Sequence, residues 1–166
     1  MQEIATRDPR FVIVRAIPDD AGLVLGFMRK LGRYQKMADQ ITATEPRLRR
    51  LLSERQGEAV FGLYDRVPVA FAYFSQTSSA FTGRSGLFID GFLVDEDFRG
   101  SGLGRIMMEF LSREALDRQC EMLEWGCLDW NAPAIRFYEG LGAYCLDTMR
   151  VYRLAPDDLR SLADRA

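Results

Sequence analysis

The spacing of apolar residues changes several times along this chain, and each change marks an element. Phe11-Val12-Ile13-Val14-Arg15-Ala16-Ile17 is β-branched and apolar throughout and predicts a strand. It stops at Pro18-Asp19-Asp20, whose acids suit the first turn of a helix. Leu23, Phe27, Met28, Leu31 and Tyr34 then line one face of that helix, which ends near Tyr34. Thr44 as a cap and Pro46 in the first turn predict a second helix over 45–54. The pattern next becomes strand-like over 58–65 and 67–76, joined through Asp65-Arg66-Val67-Pro68 as a hairpin. A polar, glycine-bearing stretch over 75–86 predicts a loop, and 87–94 a further strand. Asp90-Gly91 interrupts that strand, and a glycine there marks a bulge or the close approach of another backbone or ligand.

The second half alternates: a helix over 102–118, a strand over 122–128, a helix over 131–141, and short strands at 144–146 and 149–154. Such alternation predicts an α/β domain around a central mixed sheet. At 166 residues the chain has the size of one domain, read as 11–164, with 1–10 as a short N-terminal extension.

Composition narrows the chemistry. Acids and bases are interleaved with a net charge of −2, so the basic stripe of a nucleic-acid binder is missing. Arg47-Leu48-Arg49-Arg50 is spread around a helical turn and reads as a solvated face. No apolar run is long enough to span a membrane, and Met1 to Asp8 carries charges of both signs, unlike a secretory signal; a cytoplasmic protein is expected. Cys120, Cys127 and Cys145 lack metal-ligand spacing and read as small core residues, so no metal is expected. The chain has no histidine, which leaves carboxylate, tyrosine, backbone and water as proton carriers.

The most informative segment is Phe92-Leu93-Val94-Asp95-Glu96-Asp97-Phe98-Arg99-Gly100-Ser101-Gly102-Leu103-Gly104. A strand ends, an acidic turn follows, and an arginine with three alternating glycines opens an amphipathic helix. Glycines let N–H groups approach an anion, and the helix start adds unpaired donors and a favourable dipole, which suits a pyrophosphate. A dinucleotide fingerprint counted from Gly100 would need glycine at Arg105 and an early βα unit, and a Walker loop would need Gly-Lys-Ser/Thr; both are absent. A merely glycine-rich turn stays open on this segment alone.

Arg99-Gly100-Ser101-Gly102-Leu103-Gly104 resembles the Arg/Gln-x-x-Gly-x-Gly/Ala signature of the GNAT superfamily of acyl-CoA transferases. Asn131-Ala132-Pro133-Ala134-Ile135-Arg136-Phe137-Tyr138-Glu139-Gly140-Leu141-Gly142-Ala143 is similar to that family's later helix. More narrowly, Leu31 to Met37, Phe71-Ala72-Tyr73-Phe74 before Phe81-Thr82-Gly83-Arg84, and Leu123-Glu124-Trp125 with Asp129-Trp130-Asn131 resemble the spermidine/spermine and thialysine acetyltransferase branch. The resemblance implies a GNAT fold: a mixed, mostly antiparallel sheet of six to seven strands, splayed between the fourth (87–94) and fifth (122–128), with about four flanking helices.

It also implies acetyl-CoA as co-substrate, without metal, and a small-molecule primary amine as acceptor, diamine-, polyamine- or lysine-like. Phe92, Leu93 and Val94 would meet the pantetheine arm, the amides from Gly100 to Arg105, with Arg99, would hold the pyrophosphate, and Asn131 would bond the coenzyme. Tyr138 would protonate the departing thiolate, Asp90 would take the amine proton through water, and Tyr34, Gln35 and Asp90 would line the acceptor side. Asn131 as a cap alone and Tyr138 as a core aromatic remain the alternatives by spacing. Where the branch carries Glu-Asp, this chain has Asp90-Gly91, and Gln35 stands at a usually acidic position, which removes carboxylates that a long polyamine needs. The branch pairs through C-terminal strands, implying a homodimer around Met149-Arg150-Val151-Tyr152-Arg153-Leu154. A non-catalytic CoA-binding or regulatory domain is the competing class.

Overall fold

The computed structural model describes residues 3–165 and divides into two compact units, Met1–Leu128 and Asp129–Ala166. The first holds a six-stranded sheet in the order β1-β2-β3-β4-β5-β6: β1 Glu3–Ala5, β2 Phe11–Arg15, β3 Glu58–Tyr64, β4 Val67–Ser79, β5 Arg84–Val94 and β6 Met122–Trp125. The first five pair antiparallel with their neighbours, while β5 and β6 run parallel. Helices α1 (Ala21–Tyr34), α2 (Glu45–Ser53) and α3 (Leu103–Asp117) belong to this unit, and α4 (Ala132–Glu139) and α5 (Pro156–Ala163) to the second.

Helices α1 and α2 cover one face of the sheet. Val24, Phe27, Leu31, Leu48 and Leu52 meet Val14, Phe61, Phe71 and Leu93 in one buried cluster. Phe27, Phe61 and Phe71 stack or tilt against one another with ring centroids 5.2–5.8 Å apart, within the range of favourable aromatic pairs. α3 packs on β4, β5 and β6 and buries Leu103, Ile106, Met107, Met108, Leu111 and Ala115.

Several features differ from the sequence reading: of the three cysteines read as core residues only Cys120 is buried, while Cys127 and Cys145 are exposed, and the strand expected over 122–128 ends at Trp125. Residues 3–5, placed in an extension, add an edge strand in register with β2; three residues are too few to show a period. The polar stretch over 75–86, expected as a loop, is mostly ladder: β4 runs to Ser79 and β5 begins at Arg84. A partner strand already in register extends pairing past the point where the side chains cease to favour it. Conversely, 144–146 and 149–154 form no strand among the described residues. Their alternation describes a two-faced segment, but a strand also needs a hydrogen-bonded neighbour, and periodicity does not encode one. Val151 and Tyr152 are consequently almost fully exposed.

Candidate active site

The Asp90-Gly91 interruption is a β-bulge. Tyr73 pairs with Gly91 and Phe74 with Ile89, so Asp90 is the extra residue, without an opposite number on β4. The insertion changes which face the strand presents: Leu93 lies in the α1/α2 cluster with Phe71, whereas Ile89 is opposite Phe74, one residue out of phase on β4. Asp90 is exposed at this switch. A Cβ on Gly91 would lie 2.9 Å from Met28 Sδ and 3.5 Å from Leu31, so glycine admits α1 at close range beside the acid. Tyr73, which sequence reasoning did not single out, flanks it; burial, and then the charge of Asp90, raise its phenol above the ordinary tyrosine range. The sequence held a hint in the segment Phe71-Ala72-Tyr73-Phe74, where Tyr73 is the one side chain with a polar group; the structure leaves it alone of the four not fully buried.

The same point on β5 is where the sheet opens. Pairing with β6 covers Gly86 to Ile89, opposite Met122 to Trp125, and does not continue over Asp90 to Val94. Here is the splay expected between the fourth and fifth strands, which are β5 and β6 once the N-terminal strand is counted. Asp95 N–H donates to Val69 O at 2.8 Å, and by alternation the peptide groups of Phe92 and Val94 face the edge away from β4. Leu93 turns its side chain into the core and its peptide groups towards β4, so it does not reach this edge itself and the outward groups belong to its neighbours.

Beyond Val94, a 3₁₀ turn over Glu96–Phe98 leads to the glycine segment. Gly100 and Gly102 have φ of 75° and 89°, the left-handed region that disfavours any side chain. Gly102 is the N-cap of α3, and no side chain caps that helix. The first N–H groups of a helix have no intrahelical acceptor, so this start has what a phosphate needs. A Cβ at either glycine would meet nothing within 4 Å, so the approach is open. Arg99 Nε donates to Val94 O at 3.0 Å, and Ser101 Oγ to Phe98 O at 2.5 Å. Leu103 is buried; Gly104 and Arg105 continue the first turn, with Arg105 exposed. The splayed edge and the uncapped glycine start thus fit an extended pantetheine arm ending in a pyrophosphate.

The structure brings Asp90, Phe92, Val94, Arg99, the glycine turn and Tyr34 into one region of the first unit, Tyr34 through its ring contact with Arg99. Gln35 is the C-cap of α1, its N–H donating to Leu31 O at 2.8 Å. In the second unit, Asn131 is buried and caps α4, Oδ1 accepting from Ala134 N at 3.4 Å. Tyr138 is half-buried on α4, its ring centroid 5.3 Å from that of Phe137. Thr44 occupies the cap position of α2, but its side chain makes no capping bond.

Residues 25–143 match the acetyltransferase (GNAT) family, and the chain belongs to that family. It is an acetyl-CoA-dependent N-acetyltransferase. The thialysine N-epsilon-acetyltransferase of Bos taurus is 30% identical, over 93% of this chain and 99% of its own. An L-ornithine N5-acetyltransferase of Arabidopsis thaliana is also 30% identical, over 60% of this chain and 44% of its own. In fold, the chain is similar to an aminoglycoside acetyltransferase from an uncultured soil sample, with a TM-score of 0.76 at 15% identity, over 90% of this chain and 100% of that one. No helix among the described residues is long and apolar enough to cross a membrane.

Proposed function

We propose that the protein transfers acetyl from acetyl-CoA to the primary amine of a small molecule by direct attack within a ternary complex, with residues 11–164 acting as one acetyltransferase domain. The observation that carries this reading is Asp90: an exposed carboxylate displaced from the ladder by a bulge, where the strand's outer edge leaves its partner. Acetyl-CoA supplies the activated thioester. The outward peptide groups of Phe92 and the N–H of Val94, whose carbonyl already accepts from Arg99 Nε, align the pantetheine arm, and backbone N–H polarises the thioester carbonyl. The Gly100–Arg105 amides take the pyrophosphate.

An amine of pKa ~10.4 is charged at neutral pH and inert until deprotonated. Asp90 relays that proton through water. Tyr138 protonates the leaving thiolate, and Asn131 bonds the coenzyme as well as capping α4. Tyr34 and Gln35 stand on the acceptor side. Gly91 offers no second carboxylate and Met28 packs where one would project, so the site suits an acceptor with one reactive amine better than a long polycation. Relatives named for thialysine over most of this chain's length support a lysine-like acceptor. Exposed Val151, Tyr152 and Leu154 support self-association through 149–154, giving a homodimer in a cytoplasmic setting.

Turnover of acetyl-CoA against lysine, thialysine, ornithine, a short diamine and spermidine, with CoA binding measured in parallel, tests the reading. Acetylation of the amino-acid amines ahead of spermidine is expected; CoA binding with no amine consumed identifies a non-catalytic CoA-binding domain. In Asp90→Asn the rising limb of kcat/KM should move to higher pH, because more free amine must then come from solution. An unmoved limb removes Asp90 from the proton path.

A further inference from the structure

The turn between β5 and α3 is held from outside by α1. Lys30 and Tyr34 lie one helical turn apart on α1, and Asp95 and Arg99 bracket the turn at Glu96–Phe98. Lys30 Nζ donates to both carboxylate oxygens of Asp95, at 3.0 and 2.7 Å, and lies 4.7 Å from the Phe27 ring centroid. The Arg99 guanidinium stacks 4.4 Å from the Tyr34 ring centroid while its Nε holds the Val94 carbonyl. Two residues of one helix therefore grip both ends of the strap that leads into Gly100 and Gly102.

We propose that Tyr34 and Lys30 are positioning residues for the coenzyme: α1 clamps the strap so that the glycine turn is already shaped when the pyrophosphate arrives. Glycine loses more conformational freedom on ordering than any other residue, so a glycine turn left unsupported adds an entropic cost to every binding event. A strap fixed in advance reduces that cost. With one N–H on Val94 and its face on Tyr34, Arg99 acts through the orientation of the strap. Met28 and Leu31 of the same helix lie against Gly91, so α1 touches both the bulge beside Asp90 and the turn that opens α3.

This inference rests on reading the glycine turn as the pyrophosphate site, and the test separates the two. CoA binding is measured by calorimetry on the full chain, with melting temperature as a check on folding. Tyr34→Leu should weaken CoA binding roughly three- to tenfold, as expected for loss of a cation–π contact, while Tyr34→Phe, which keeps the ring face, stays within about twofold. Tyr34→Leu and Arg99→Met should be non-additive in a double-mutant cycle. Additive effects, or a Tyr34→Leu variant that raises only the acceptor KM, would overturn the clamp. If Gly102→Val weakens CoA binding and Tyr34→Leu does not, the clamp alone fails; if Gly102→Val leaves affinity intact, the pyrophosphate reading fails and the clamp with it.

Discussion

Helices α3 and α4 both follow a strand and both carry candidate residues, yet they begin in opposite ways. α3 starts at a left-handed glycine with no side-chain cap, and seven of its residues are buried. α4 starts at a buried asparagine that caps it, and none of its own residues is buried. The first is anchored by its apolar face and can leave its leading N–H groups to a ligand. In the second the Asn131 side chain is already engaged as the cap, a role independent of any coenzyme. The contrast is between a helix start whose leading N–H groups have no side-chain cap and one whose asparagine is already engaged as the cap.

The largest effect that sharpens this comparison is expected on α4. Tyr138→Phe should lower turnover by about 10²–10⁴-fold with CoA affinity nearly constant, the usual range for a lost general acid. Near wild-type turnover on a good acceptor would return Tyr138 to a packing role. On α3, Gly102→Val forces a β-branched residue to a φ of 89° and should weaken CoA binding at least tenfold, about 1.4 kcal/mol. Equilibrium titration of the folded variant decides it. Asn131→Ala should cost about 1 kcal/mol of stability by loss of the cap. It should also weaken CoA binding if the residue has the second role, which denaturant titration and calorimetry together distinguish.

The smallest expected effect concerns the far end of α3. Burial disfavours the charge on Glu114, but its bonds to Arg15 and Arg118 outweigh burial and hold the carboxyl below the usual glutamate range. A carboxyl lowered by folding contributes stability that is present above its unfolded pKa and lost as pH falls through its folded value. Glu114→Gln should therefore be about 1 kcal/mol less stable than wild type at neutral pH, with the gap closing on acidification below the glutamate range. A gap independent of pH, followed by thermal melts, would mean that shape rather than charge holds this corner.

Much of this was legible in the sequence for identifiable reasons. Strong periodicity located α1, β3 and the middle of β4, and the Asp90-Gly91 pair, which marked either a bulge or a close approach, turned out to mark both, with the extra residue at Asp90 and α1 against Gly91. The signature at Arg99 to Gly104 marked an uncapped helix start. Pairing was harder to read. The β4–β5 ribbon past Gln76 is polar on both sides and is held by register, and 144–154 has the alternation of a strand without a ladder in the chain. Contacts between side chains distant in sequence were invisible too: nothing in the local pattern joins Lys30 to Asp95 or Tyr34 to Arg99.

The ion pair between Lys30 and Asp95 has one more consequence, for the protein's exposure to its own reagent. The chain contains twenty arginines and only two lysines, Lys30 and Lys36. A guanidinium stays protonated throughout the accessible pH range and does not accept an acetyl group, so nearly all the positive charge on this protein is chemically silent towards a thioester. Of the two side-chain amines, one is engaged with Asp95 through both carboxylate oxygens, and acetylating it would remove the charge that holds the strap. A catalyst built to present an activated acetyl group to a passing amine thus offers very few amines of its own, which limits self-modification and keeps the donor for the substrate.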